Sequence, residues 1–252
     1  MLIAATDIAG IAWPLAVVAV ITIGIGAAVQ ATIGLGMAVL AAPILAIIDP
    51  NFLPVTTIVM VMPLSFGVAR REHEHIVWSA AGIALFGRLP GVAIGALLIS
   101  STGSDTVKLL VGISVLLAVA ASATRFHVTT STRNLLIAGM ASGFSGTTAG
   151  IGGPPLAVAY QHEQPATTRA TLAVFFGLGS IISFSGLAAV GEVDQRHISL
   201  CLLLLPGVLV GLALSRPVTS RFPEHRLRIA LLTTCSFSAI FLLIETAIEM
   251  LG

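Results

Sequence analysis

Long apolar runs, separated by short polar or glycine-rich stretches, account for nearly the whole chain. A helix needs about 20 predominantly apolar residues to cross the hydrocarbon core of a bilayer, and most of the runs are of that order. The pattern predicts an all-α polytopic membrane protein with about eight to ten membrane segments in a single domain, residues 1–252. The runs cover 11–29, 35–48, 53–69, 76–99, 107–123, 134–148, 151–160, 168–190, 198–215 and 229–248.

Composition supports this interpretation and restricts the classes of binding partner that are expected. Charged residues make up 9% of the chain and hydrophobic residues 56%, whereas soluble domains carry roughly 25% charged residues. The net charge is +1 and the basic residues are scattered among loops, so no basic face for nucleic acid is expected. Cys201 and Cys235 lie in apolar runs, and no Cys/His cluster has metal-ligand spacing. We expect no metal and no other cofactor, with membrane lipid around the protein.

The chain resembles itself at an offset of 116 residues. LPGVAIGALLIS (89–100) aligns with LPGVLVGLALSR (205–216) at six of twelve positions. TIGLGMAVLA (32–41) aligns with TAGIGGPPLA (148–157) at five of ten positions under the same offset. Because chance matches of Leu, Ala and Gly do not explain a shared register over more than fifty residues, we predict two repeats. They cover residues 11–123 and 134–250.

The distribution of basic loops predicts that the two repeats are inverted. Cytoplasmic loops are enriched in Lys and Arg, and the basic loops here are 70–75, 124–133 and 216–228. The stretch equivalent to 70–75 is 186–191, and the stretch equivalent to 216–221 is 100–105; neither carries a positive charge. Equivalent loops therefore lie on opposite sides of the membrane, which also puts Arg196 and His197 on the outer side.

Two short segments, interrupted by glycine and proline, are the best candidates for a binding site. The runs 35–48 and 151–160 are too short to span, and they follow or overlap the paired glycine-interrupted stretches Gln30–Pro43 and Ser142–Pro155. Paired interruptions of this kind mark the substrate site of inverted-repeat transporters, where backbone N–H groups and helix N-termini can receive an anion. The alternative is that the glycines only allow close helix packing. The candidate backbone positions are Gly34, Leu35, Gly36, Gly150, Gly152 and Gly153.

Arg88 lies within the apolar run 76–99, about a dozen residues from either polar flank. A charge at the centre of a membrane helix costs about 2.5–3.5 kcal/mol, so such a residue usually faces the bundle interior or a cavity. Its repeat equivalent is Leu204, so the repeated scaffold does not require an arginine. We expect Arg88 to bind an anion; the alternative is a structural arginine that binds carbonyls or reaches the interface.

Polar residues near the interruptions complete the predicted site. Gln30, Ser145, Thr147 and Thr148 can donate hydrogen bonds to oxyanion oxygens, although Ser and Thr also bond to their own helix. Arg169 is expected to form a vestibule charge or a positive-inside anchor. Three prolines are grouped with it as candidate gating positions. These are Pro43, Pro90 and Pro154.

At these residues the chain resembles the TauE/SafE family of sulfite and organosulfur-anion exporters. The resemblance rests on TIGLGMAVLAAP and SGTTAGIGGPPLA, on the duplication, and on the LPG–xxxG element, and it covers nearly the whole chain. It implies a multi-pass permease of the inner membrane that moves small sulfur-containing anions, such as sulfite, sulfoacetate or related sulfonates, usually outward. The first interruption, GLGMA, is poorer in glycine than the family pattern.

Other functions compete with an exporter that works by alternating access. A passive anion channel can be built from the same broken helices. GFSG (143–146) matches the nucleophile motif of intramembrane serine proteases, but all six histidines lie in loops or at the ends of runs, so no enzyme is expected. A structural or assembly protein is disfavoured by Arg88 and the paired interruptions. The anion, the energy source and a homodimeric state stay open.

Overall fold

The computed structural model describes residues 7–123, 129–221 and, beyond these, 233, 236–237, 239–244 and 246–248. Apart from a two-residue antiparallel ribbon, Asp7–Ile8 with Ile11–Ala12, its regular structure is helical. Short 3₁₀ turns cover Pro50–Phe52 and His73–His75. The helices are α1 (Trp13–Ile33), α2 (Met37–Ile48), α3 (Val55–Arg71), α4 (Trp78–Ile99), α5 (Ser104–Ala123), α6 (Thr132–Ala149), α7 (Gly153–Ala159), α8 (Pro165–Ala189) and α9 (Gln195–Arg221).

The all-α polytopic membrane architecture is confirmed. Four described segments are long and apolar enough to cross a membrane: α1, α4, α8 and the Gln195–Ser215 part of α9. Each of the first nine apolar runs corresponds to one helix. An apolar segment in lipid forms a helix because its backbone N–H and C=O groups must bond to each other there. The tenth run, 229–248, falls largely outside the described residues.

Two parallel helix pairs are packed so closely that their contact positions admit only glycine. A Cβ atom at Gly91 of α4 would lie 2.0 Å from the Met140 carbonyl oxygen of α6. A Cβ atom at Gly211 of α9 would lie 2.2 Å from the Gly24 carbonyl oxygen of α1. Small residues of this kind let helix backbones approach each other in membranes, where dispersion contacts replace the hydrophobic effect.

The two close pairs are related by the 116-residue offset. That offset maps α1 onto α6 and α4 onto α9, so each pair combines one helix from 11–123 with one from 134–250. The related helices α3 and α8 pack against each other. Gly34, at the end of α1, packs on Arg169 near the start of α8, whereas Gly150, at the end of α6, packs on Thr57 near the start of α3. Because α3 and α8 are antiparallel, α1 and α6 point to opposite ends of the molecule.

The described parts of the three basic loops lie at one end of the molecule, which we call the basic end. There Arg71 donates a hydrogen bond to Ser215, Glu72 pairs with Arg169, and Thr130 donates to Glu163. At the other end Asp49 forms an ion pair with Arg196, the residue predicted to lie on the outer side.

Candidate functional site

Both interruptions contain glycines in a left-handed backbone conformation. Gly34 ends α1 with a φ of 97°, and its N–H donates to the Gln30 carbonyl at 2.7 Å. Gly36 precedes α2 with a φ of 125°. Gly150 ends α6 with a φ of 73°, and its N–H donates to the Gly146 carbonyl at 3.1 Å. Side chains rarely adopt these angles, so the chain reverses here only because glycine is present.

A small cavity lies between the two interruptions. The centre of a water molecule can occupy a volume of about 30 Å³ in this cavity. That volume is enough for one or two water molecules. Helices α3 and α8 form its remaining walls. Of the predicted site residues, it is lined by Gln30, Leu35, Gly36, Arg88, Gly150, Gly152 and Gly153. The other lining residues are Ala38, Val39, Ile58, Val61, Gly146, Ile151, Phe176 and Ser180.

Arg88 is buried in the bundle interior, with a relative exposure of 3%. Its Nε donates to the Gly179 carbonyl at 3.1 Å, Nη1 to Ser142 Oγ at 3.1 Å and Nη2 to Ser183 Oγ at 2.9 Å. The guanidinium carbon lies 5.1 Å from the centre of the Phe175 ring, within the range of a cation–π contact. These contacts hold the planar group in one orientation at the edge of the cavity.

Three glycines provide the space for the guanidinium. A Cβ atom at Gly146 would lie 2.8 Å from Nη2, and one at Gly179 would lie 2.8 Å from Nε. A Cβ atom at Gly152 would lie 3.3 Å from Nη1. The second interruption and α8 therefore enclose Arg88 with backbone rather than with side chains.

The hydrogen bonds of Arg88 continue into the second interruption. Ser142, which accepts from Nη1, donates to the Gly152 carbonyl. Ser183, which accepts from Nη2, also accepts from Thr147 at 2.9 Å. A movement of α6 or α8 would thus change the position of the Arg88 side chain. A displacement of that side chain would in turn affect α6 and α8.

The acceptors around Arg88 are neutral. Within the described ranges, no carboxylate forms an ion pair with it. The guanidinium of arginine keeps its proton in proteins. The site therefore keeps a net positive charge in a setting from which most water is excluded, where an anion is attracted far more strongly than at a surface.

Gln30 gives the first interruption a side-chain donor. Its Oε1 accepts from the Met37 N–H at 3.1 Å, which satisfies one of the unpaired donors at the start of α2. No hydrogen bond is formed by its Nε2 group within the described part of the chain, and Gln30 lines the cavity. The N–H groups of Ala38 and Val39, which have no partner inside the helix, belong to cavity-lining residues as well.

The second interruption differs in its chemistry. Pro154 and Pro155 occupy the first turn of α7 and have no N–H group. The N–H groups of Gly150 and Ile151 already donate to the carbonyls of Gly146 and Ser145, so the backbone donors left at this turn are those of Gly152 and Gly153. The two interruptions contribute unequally. The first provides a helix start and the Gln30 amide, and the second provides a glycine backbone that supports Arg88 of α4.

Several predicted site residues lie away from the cavity. Ser145 and Thr148 donate to carbonyls one turn earlier, those of Ala141 and Phe144. Thr147 lies behind Arg88 through its bond to Ser183, and Gly34 packs against the Arg169 backbone. Among the prolines, Pro43 is buried within α2, Pro90 is on the exposed outer face of α4, and Pro154 starts α7.

Arg169 lies at the basic end and not at the cavity. Its Nε donates to both Glu72 carboxylate oxygens, at 3.1 and 3.0 Å. Arg71 lies 3.6 Å from the same carboxylate and also donates to the Ala31 carbonyl, in the last turn of α1, at 3.0 Å. This ionic cluster joins α1, α3 and α8 next to the first interruption.

Sequence reasoning missed the contribution of α8. Phe175, Phe176, Gly179, Ser180 and Ser183 contact Arg88 or line the cavity, but they lie in the apolar run 168–190, where the sequence pointed only to Arg169. The two serines were the available signal, because a hydroxyl inside a membrane helix needs a partner. Ser142 was included in the second stretch without a role of its own.

Comparison with known proteins identifies one family. The family model described as Sulfite exporter TauE/SafE matches residues 14–242. No curated protein and no solved structure matches the chain.

Proposed function

This chain belongs to the TauE/SafE sulfite exporter family, and from that premise we propose that it carries sulfite, or a sulfonate such as sulfoacetate, through the cavity between its two interruptions. The family assigns it to membrane transporters and not to enzymes. The proposal adds the substrate, the residues that bind it, alternating access and the direction of transport. We propose further that the membrane is the inner (plasma) membrane.

The observation that carries the proposal is the position of Arg88. It is a buried cation whose described acceptors are all neutral, and it faces a cavity that glycine backbone surrounds. Guanidinium groups bind oxyanions through paired N–H donors. Three of the five N–H donors of Arg88 are used by protein, so two are available for the oxygens of a bound anion.

The other donors lie on the opposite wall. Gln30 Nε2 and the N–H groups of Ala38 and Val39 supply hydrogen bonds from the first interruption. Leu35, Gly36, Gly150, Gly152 and Gly153 form the backbone walls. Thr147 acts indirectly, by holding Ser183. Ser145 and Thr148 have no direct role in this arrangement, because their hydroxyls bond to their own helix.

Alternating access requires that each end can close. The Glu72–Arg169 pair closes the basic end, and the Asp49–Arg196 pair joins α2 to α9 at the other. By the positive-inside rule the basic end is cytoplasmic. The solute enters there, is held by Arg88, and leaves at the Asp49 end when the two proposed repeats rock against each other.

The experiment is sulfite flux into proteoliposomes that contain the purified chain. Wild-type protein should accumulate sulfite, Arg88→Ala should not, and Arg133→Ala, which removes an exposed arginine at the start of α6, should behave as wild type. Equal loss in both variants, or full activity of Arg88→Ala, would refute the proposed site. Flux that never exceeds the imposed gradient would exclude coupled transport and would favour a passive channel instead.

A thermal-shift series with sulfite, sulfate, thiosulfate, sulfoacetate and taurine identifies the solute. The cavity in this conformation holds little more than one or two water molecules. Sulfite should therefore stabilise the protein at lower concentration than the longer sulfonates, for which the walls must move apart.

A further inference from the structure

A buried hydroxyl lies between the cavity and the basic end. Ser65 of α3 is 1% exposed, and its Oγ has no hydrogen-bond partner in the described structure. A buried hydroxyl without a partner costs free energy, since it loses its hydrogen bonds to water. The Thr56 hydroxyl on the same helix is also buried without a partner in the described structure, so the position of Ser65 carries the argument.

The position of Ser65 on α3 connects the cavity to the ionic cluster. Ile58, Ser65 and Glu72 are spaced by seven residues, so they form one stripe along the helix. Ile58 lines the cavity, and Glu72 pairs with Arg169 at the basic end. Ser65 is the middle of this stripe.

Helix α8 carries a matching stripe. Arg169, Phe176 and Ser183 are also spaced by seven residues. The helices are antiparallel, with Glu72 against Arg169 at one end and Ile58 and Phe176 both lining the cavity. One heptad from the ion pair therefore places Ser65 at the level of Phe176. Phe176 is 7% exposed, so the seam between the helices is closed here.

We infer that Ser65 is a transient hydrogen-bond donor for the transported oxyanion, on a route along the α3–α8 seam between the cavity and Arg169. The inference rests on the proposed function. Movement of the Phe176 side chain opens the seam. The anion then passes from Arg88 to the Ser65 hydroxyl and from there to Arg169, where it replaces Glu72 as the partner of the guanidinium. No covalent bond is made or broken. The anion only exchanges hydrogen bonds as it moves between two cationic side chains.

Thr56 provides a matched control on the same helix. It is fully buried and nine residues from Ser65, which places it on the opposite face at 3.6 residues per turn. Its side chain lies beside the Cys201 thiol of α9, away from the seam. Ser65→Ala and Thr56→Val each delete a buried hydroxyl from α3, but only the first changes the proposed route.

The first test measures sulfite flux and sulfite binding for both variants. Ser65→Ala should reduce the maximal rate roughly five- to tenfold, the usual effect of one hydrogen bond. Its equilibrium affinity at the cavity should stay at the wild-type value, and its melting temperature should not fall, because the change removes no bond of the resting structure and deletes an unpaired buried hydroxyl. Thr56→Val should transport at the wild-type rate. A wild-type rate in Ser65→Ala, or a melting temperature that falls with its rate, overturns the inference.

The second test uses thiol labelling, with Cys201 and Cys235 replaced by alanine. In Ser65→Cys, a water-soluble methanethiosulfonate should label position 65 from the basic end, and saturating sulfite should change the labelling rate. Thr56→Cys should stay unlabelled. Equal labelling at both positions, or none at position 65 while the protein transports, contradicts the route. If the wild-type protein shows no oxyanion flux, the proposed function itself fails. If the wild-type protein transports but the Ser65 variants give the contradicting results, only the route through Ser65 fails.

Discussion

Arg88 and Ser142 are joined by a hydrogen bond of 3.1 Å, from Nη1 to Oγ, and the Ser142 hydroxyl donates a hydrogen bond to the Gly152 carbonyl. The cation that faces the cavity is therefore connected to the backbone of the second interruption. This link holds the arginine in place before any solute binds. Preorganised donors of this kind bind an anion without first paying for reorganisation.

Replacement of Arg88 by lysine should therefore fail to preserve binding, although it preserves the charge. An ammonium group lacks the planar fork and cannot bond to Gly179, Ser142 and Ser183 while it also faces the cavity. We expect sulfite affinity to fall roughly tenfold to a hundredfold, the equivalent of one charge-assisted hydrogen bond. Isothermal titration of the detergent-solubilised variants measures it. Wild-type affinity in Arg88→Lys would show that charge alone suffices.

Gly179→Ala should disturb the same arginine without altering its chemistry. The new Cβ would lie 2.8 Å from Nε and 2.9 Å from Cδ of Arg88. Because the guanidinium is fixed by three hydrogen bonds, it must leave its position, and sulfite binding should weaken while the chain still inserts and folds. Gly103→Ala, at a position with no heavy atom within 4 Å of the new methyl group, serves as the control. Equal affinity in the two variants would show that the orientation of Arg88 is unimportant.

Gln30→Glu separates the structural role of Gln30 from its proposed role in binding. A carboxylate still accepts from the Met37 N–H, so the start of α2 should be preserved. The same carboxylate would face the cavity that Arg88 lines and would neutralise it, so we expect sulfite binding to be lost and the melting temperature to be maintained. Gln195→Glu, at an exposed position at the start of α9, adds the same charge away from the cavity. Retained binding in Gln30→Glu would remove Gln30 from the site.

The helices were predictable from the sequence because each is an apolar run bounded by polar or glycine-rich residues. The reversals at Gly34, Gly36 and Gly150 were predictable as well, since their backbone angles favour glycine. Arg88 could be placed at membrane depth from its distance to the polar flanks. The two-repeat division and the binding role of these residues stay predictions, which the variants described here test.

The partners of Arg88 could not be predicted, because they depend on which face α8 presents to α4. Gly179 and Ser183 lie 91 and 95 residues away in the chain, and an apolar helix does not reveal its packed face by periodicity. For Ser145 and Thr148 the sequence left two alternatives open, solute binding and bonding to their own helix. The structure shows the second.

The Glu72–Arg169 pair predicts a charge effect on transport from the basic end. Glu72→Gln frees Arg169 to attract an anion, so the sulfite KM measured from that end should fall a few-fold, and Arg169→Gln should raise it. Both effects should diminish as ionic strength rises, since the pair is partly exposed. Glu163→Gln, which removes a carboxylate at the same end without freeing Arg169, should leave KM unchanged. A fall of the same size in Glu163→Gln would assign the effect to net charge alone.

The close packing of α4 on α6 predicts a strong difference between two glycines of one helix. A methyl group at Gly91 would overlap the Met140 carbonyl oxygen, at 2.0 Å, and the Phe144 nitrogen, at 2.8 Å, so Gly91→Ala must push the two backbones apart. At Gly82 the new methyl group would meet no heavy atom within 4 Å.

We expect Gly91→Ala to lower the free energy of unfolding by about 1–3 kcal/mol, as overpacking does. Gly82→Ala should raise it by about 0.5–1 kcal/mol, because alanine is the better helix former. Thermal unfolding in detergent, followed by circular dichroism, measures both. Because α6 carries Ser142 and Thr147, Gly91→Ala should also weaken sulfite binding, whereas Gly82→Ala should not. If the two alanine variants unfold at the same temperature, α4 and α6 are not held together through this glycine contact.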